Sequence, residues 1–179
     1  MNYFTTVLFL ALGVTASRDK PTWQDLRNAL DTEDRIWVTD RSYERRTKDQ
    51  VHSCVNARRL YLNGLEYGFE QYFDIGNQRK RIELYGEISP GAPDTRPFLT
   101  VSSKQGEPGN PYTLEYWDNN RHCGVLTFTE DSEFKCELHV WERGLKNRVS
   151  CLLDYQRICH DRHSYSVYYD DCLTRTFGK

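Results

Sequence analysis

Residues 136–142, CELHVWE, place a carboxylate, an imidazole and an indole at alternate positions. In an extended strand side chains alternate, so Glu137, His139 and Trp141 share one face while Cys136, Leu138 and Val140 share the other. The first face has the chemistry of a binding site, with an acid to meet a cation and a ring to wall it. The competing structural role is a buried acid paired with an arginine or with His139, and a lone interior histidine used as a hydrogen-bonding core residue. Catalytic chemistry has no support elsewhere. There is no Gly-x-Ser-x-Gly elbow and no His-Glu-x-x-His pair, and the five histidines, His52, His122, His139, His160 and His163, lack metal-ligand spacing. No enzyme, metal or cofactor is expected.

The six cysteines, Cys54, Cys123, Cys136, Cys151, Cys159 and Cys172, form an even set without metal-type CxxC spacing. They follow an N-terminal segment, 1–17, whose apolar run from Val7 to Val14 ends in the small residues Thr15, Ala16 and Ser17. Together these features predict a signal peptide over 1–17, one domain over 18–179, export to the extracellular space and three disulfides. Spacing alone leaves the pairing open. Lys and Arg number 24 against 26 Asp and Glu, so neither a nucleic-acid footprint nor a membrane-binding basic face is indicated, and a monomer is expected.

The elements that must position the site are mostly strands. Eight extended runs, 35–43, 54–62, 66–75, 81–88, 97–103, 112–117, 123–129 and 136–142, are separated by turn signals such as Asn63-Gly64 and Gly76-Asn77. A short helix is predicted over 21–30 from Trp23, Leu26 and Leu30. A C-terminal one follows near residue 147, from Val149, Leu152, Leu153 and Gln156. The expected fold is all-β, an eight-stranded antiparallel up-and-down barrel with both helices outside, room inside for one small ligand, and a sandwich as the competitor. In 81–88 either Ile82, Leu84 and Gly86 or Glu83, Tyr85 and Glu87 could face inward; periodicity does not choose.

The order of these elements resembles the tick salivary lipocalins, the group that includes the histamine-binding proteins. The resemblance rests on the Trp-x-x-Leu helix (Trp23, Leu26), the spacing of Cys123, Glu137-Leu138 and Cys151, and the closing Tyr169-Asp170-Asp171-Cys172. It implies a lipocalin-like barrel with Cys54 joined to Cys172, Cys123 to Cys151, and Cys136 to Cys159. The last pair agrees with the alternation: Cys136 outward beneath the helix sends Glu137, His139 and Trp141 inward.

Histamine-binding members carry Cys-Asp-(Val, Ile or Leu) and then Glu-Leu-Trp. Here Gly124 stands for the Asp and His139 for the Trp, while Glu137-Leu138 is kept. The resemblance implies a ligand set of Glu137, His139 and Trp141, and Trp37, Tyr43, Tyr85 and Tyr116 are the further candidate walls. The expected function is capture of a small host mediator, a biogenic amine such as histamine or serotonin. Losing the acid at 124, with Leu126 and Phe128 following on the same side, opens the alternative of a lipid mediator such as a leukotriene, its carboxylate met by Arg58, Arg59 or Arg81. A third reading is a host-protein binder acting through loops at the barrel mouth such as 89–96.

Overall fold

The structure, a computed structural model, describes residues 20–92, 95–160 and 162–175. The expected signal peptide lies outside them.

Helix α1 (Trp23–Leu30) begins at a reciprocal cap in which the Thr22 hydroxyl accepts from the Asp25 N–H at 3.2 Å and the Asp25 carboxylate accepts from the Thr22 N–H at 2.7 Å. Pro21 therefore stays outside the helix. Leu26, Ala29 and Leu30 are buried, whereas Trp23 is 42% exposed, so the apolar face is one residue further round than the Trp23–Leu26–Leu30 reading placed it.

The strands are β1 (Ile36–Arg41), β2 (Arg46–Thr47), β3 (Gln50–Asn63), β4 (Glu66–Ile75), β5 (Gln78–Ser89), β6 (Phe98–Ser102), β7 (Asn110–Asp118), β8 (Cys123–Glu130), β9 (Glu133–Trp141) and β10 (Tyr165–Ser166). Eight long ones pair antiparallel in sequence order, and β1 then pairs with both β9 and β3, through Ile36↔Ala57 and Trp37↔Asn56 in the second case. That second pairing closes the sheet into a barrel and removes the sandwich alternative. Two glycines permit the tight hairpins between β3 and β4 and between β4 and β5, Gly64 at φ +60° and Gly76 at φ +56°, where a side chain would be strained.

Helix α2 (Val149–Cys159) lies outside against β8 and β9, where Cys151, Tyr155 and Cys159 share a core cluster with Val125, Leu138 and Val140. Disulfides join Cys54–Cys172, Cys123–Cys151 and Cys136–Cys159, each tying a barrel strand to the segment after residue 150. That segment then fills the seam between β1 and β3. Its β10 pairs with Asp40 and Arg41, the Val167 N–H donates to Thr39 O at 2.9 Å, and the Cys54 N–H donates to Val167 O at 2.7 Å. Among the described residues no helix is long and apolar enough to cross a membrane.

Candidate functional site

Strand β9 has the expected sidedness. Leu138 and Val140 lie outward under α2 with Cys136, while Glu137, His139 and Trp141 line an interior cavity of about 380 Å³. Its lower walls are apolar, contributed by Tyr67, Phe69, Leu84, Leu99, Leu114 and Leu126, and α1 closes that end with Leu26, Ala29 and Leu30. The Trp141 indole N–H fastens this floor by donating to Ala29 O at 2.9 Å. At the opposite end the lining includes Arg45 and Glu130, whose side chains are 45% and 32% exposed, so this is the open rim. Ser89 and Phe98, the strand ends that flank the 89–96 connection, pair with each other on the α1 side of the barrel, which corrects the expected place of that connection at the mouth.

Glu137 sits just below the rim with both oxygens engaged. The Tyr43 hydroxyl donates to Oε1, and His139 Nε2 lies 2.8 Å from Oε2. Burial pushes the Glu137 carboxyl up, but His139, the Tyr43 hydroxyl and the charge of Arg41 outweigh it and hold the group below the usual carboxylate range. Burial, reinforced by Glu137, pushes the Tyr43 hydroxyl far up, which keeps it a donor. A depressed carboxyl stabilises the fold fully above its unfolded value, and that contribution disappears as pH falls through the lower folded value. Below pH 4.5, the ordinary value of the group, wild-type protein should therefore lose stability more steeply than Glu137→Gln. Chemical denaturation between about pH 5 and 3 measures this difference, and equal slopes would contradict it.

Arg41 is the buried cation of the cavity, 2% exposed. Its Nη2 donates to His52 O at 3.0 Å, reaching from β1 to β3, and its guanidinium lies 5.1 Å from the centre of the Tyr43 ring. Nε has no hydrogen-bond partner among the described residues. At the rim Arg45 and Lys135 both pair with Glu130, at 3.0 and 2.7 Å. The cavity is thus lined by a polar collar above an apolar well.

Of the expected wall residues, Tyr43 and Trp141 line this cavity and three others do not. Trp37 is fully buried on the far side of β1, edge-on to Tyr168 at 5.2 Å, with its indole N–H on Glu142 at 3.3 Å. Tyr116 lies in the cluster beneath α2 and bonds to Asp118. Both reversals follow from β-bulges, one between Val38 and Asp40 and one between Leu114 and Tyr116, because a bulge shifts the alternation by one residue. Hence Trp37 faces out although Tyr43 faces in, and Trp117 takes the inward place expected of Tyr116. Tyr85 stands on the outer wall with its hydroxyl on Glu83, since Ile82 and Leu84 are the inward residues of β5. The basic candidates are also replaced. Arg59 pairs with Asp31 and Glu33, Arg81 with Glu70, and Arg58 is exposed, leaving Arg41 and Arg45 as the cations at the cavity.

Gly124 is buried and faces inward, but its missing side chain leaves no hollow. A Cβ there would lie 3.1 Å from Tyr116 O and 3.4 Å from the Trp117 ring. Trp117 in turn packs on Trp141 with ring centres 4.5 Å apart, so indoles occupy the space an acid would need. Phe128 lies at the rim against Tyr43 and Tyr112. Among the described residues no group of three or more His, Cys, Asp or Glu could hold a metal ion.

The family model for tick histamine binding protein matches residues 15–174. The chain belongs to the tick histamine-binding protein family. Its fold is also that of Japanin from Rhipicephalus appendiculatus, solved bound to cholesterol, with a TM-score of 0.57 and 14% identity over 80% of this chain and 97% of that one. The siderocalin Ex-FABP, described as functioning through dual ligand specificities, aligns with a TM-score of 0.52 and 9% identity over 77% of this chain and 94% of that one. No curated protein sequence matches. As a member of the tick histamine-binding family with a lipocalin barrel, the chain is a small-ligand binder and not an enzyme.

Proposed function

We propose that the chain is a secreted salivary scavenger that holds one apolar host mediator of the lipid class in its barrel and performs no chemistry on it. The observation that carries this reading is the state of Glu137. Among the described residues, the one acid lining the cavity below the rim has both oxygens spent on Tyr43 and His139, so a cationic ligand would have to displace protein hydrogen bonds to reach it. Below it the walls are aliphatic and aromatic, and the volume falls within the range of small-molecule sites. Japanin, a tick protein of the same fold, holds cholesterol, which agrees with an apolar occupant.

Amine capture is the second reading, favoured by the inward direction of Glu137 and by Tyr43 beside it. Calorimetry with histamine, serotonin and a leukotriene separates the two. The leukotriene should bind, the amines should not, and Glu137→Gln should spare the lipid. Tight amine binding abolished by Glu137→Gln would establish the second reading instead. If no small molecule binds, the carrier reading fails and a host protein met through the outer loops becomes the working alternative.

A further inference from the structure

Strand β5 is paired along its length on one side and along less than half of it on the other. Toward β4 the register is unbroken from Glu66↔Glu87 to Ile75↔Gln78, without the bulges that interrupt the β1–β9, β3–β4 and β7–β8 ladders. Toward β6 only Tyr85 to Ser89 are paired, because β6 ends at Ser102. Gln78 to Leu84 therefore form a free sheet edge among the described residues. The direction of its backbone groups is set by the Ile88 N–H, which donates toward β4, to Leu65 O at 2.8 Å. Counting back by two, Leu84, Ile82, Lys80 and Gln78 turn N–H and C=O to β4, so Glu83, Arg81 and Arg79 turn theirs to the open side.

An edge of this kind is a template for another strand unless something blunts it. From 78 to 84 there is neither a proline nor a bulge. The basic side chains do not repel a partner as they would if free, since Arg79 pairs with Asp74 at 2.9 Å and Arg81 with Glu70 at 2.8 Å, both on β4. That leaves Lys80 and Glu83, of opposite sign. Ile82 lines the cavity and is still 41% exposed, because no strand flanks it. The C-terminal segment does not cover it, being held to β3 through Cys54–Cys172.

We propose that a second copy of the chain fills this edge, the two β5 strands pairing antiparallel about a two-fold axis at Arg81. The free windows then coincide: Gln78 lies opposite Leu84 of the second copy, Arg79 opposite Glu83, Lys80 opposite Ile82, and Arg81 opposite Arg81. This register joins the outward-turned groups of Arg79, Arg81 and Glu83 to one another and stops short of Tyr85, whose edge belongs to Ser102. An axis one residue on, at Ile82, would drive Arg79 against that occupied position. Charge supports the same choice. Arg79 meets Glu83 on both sides of the axis, and the one like pair, Arg81 with Arg81, is moderated by the Glu70 that each already holds. The Lys80 stem would lie along Ile82 of the other copy and cover it. Such an interface is small and closed by its symmetry, so the dimer forms and parts with concentration and grows no further. It departs from the monomer expected from the sequence and does not depend on what the barrel carries.

Sedimentation of the oxidised full chain from about 5 μM to about 1 mM should show a reversible monomer–dimer equilibrium. Over the same range, amide exchange at Arg81 and Glu83 should slow, while Lys80 and Ile82, already bonded to β4, should not change. Glu83→Lys sets like charges across both outer pairs, and Arg81→Pro removes an edge N–H without touching the β4 ladder. Each should raise the dissociation constant roughly tenfold or more. Glu87→Lys, where β6 already fills the edge, should leave it unchanged. A chain that stays monomeric throughout overturns the inference, as does a dimer indifferent to Glu83→Lys or an assembly that grows past two. Should Arg81→Pro not fold, Glu83→Lys and the exchange pattern decide.

Discussion

Replacing Cys54 and Cys172 together by alanine should lower the melting temperature by on the order of 10–15 °C, the largest effect of any of the three disulfides. The bond spans 118 residues, against 28 for Cys123–Cys151 and 23 for Cys136–Cys159. In the chain-entropy model it contributes about 5 kcal/mol, roughly 1 kcal/mol more than either of the others. Its position adds to that. The direct pairing of β1 with β3 involves only Ile36↔Ala57 and Trp37↔Asn56, and beyond those residues the seam is filled by the tail that Cys172 holds. Releasing it also loosens the span from Arg41 to His52 O across the same seam, so ligand affinity should fall with stability. Thermal melts of the three double-alanine variants check the ranking. A smaller loss here than for Cys123/Cys151 would mean that the seam holds without its tail.

Gly124→Asp should destabilise the protein by about 3 kcal/mol or more and should not create amine binding. The substitution places an acid where the motif of histamine-binding relatives has one, which on sequence grounds reads as a gained amine site. The structure argues the reverse. The new side chain would meet Tyr116 O at 3.1 Å and the Trp117 ring at 3.4 Å from its Cβ alone, and its cross-strand neighbour His139 is already engaged with Glu137. A second carboxylate crowded into this wall must compete with Glu137 for His139, take up a proton or break the packing around it, and each outcome costs stability. Chemical denaturation and a histamine titration measure both parts. A stable variant that gained histamine binding would show that Trp117 yields, and would move the assignment of the cavity toward amines.

The fold was readable because barrel strands with one buried face write their alternation into the chain, and because turn residues punctuate it. Strand β9 and its partner helix α2 came out with the right sidedness for that reason, and with it the inward set Glu137, His139 and Trp141. The errors have an equally local cause. Trp37 and Tyr116 sit one step before or after a bulge, where the two-residue period slips, and a bulge leaves no fixed mark in side-chain type. In β1 the slip turns Trp37 out while Arg41 stays inside with Tyr43, the side that alternation counted back from Tyr43 gives it. The two-residue strands β2 and β10 are too short for any periodicity to register.

The helix that stops one end of the barrel has a directional consequence. With an apolar stopper below and the charged residues of the described lining gathered at the other opening, the proposed apolar guest would enter tail foremost and leave its polar end toward the outer surface. The occupied and vacant vessels would then differ in the patch they show to other molecules, so occupancy can be read from outside without any change in the shape of the wall.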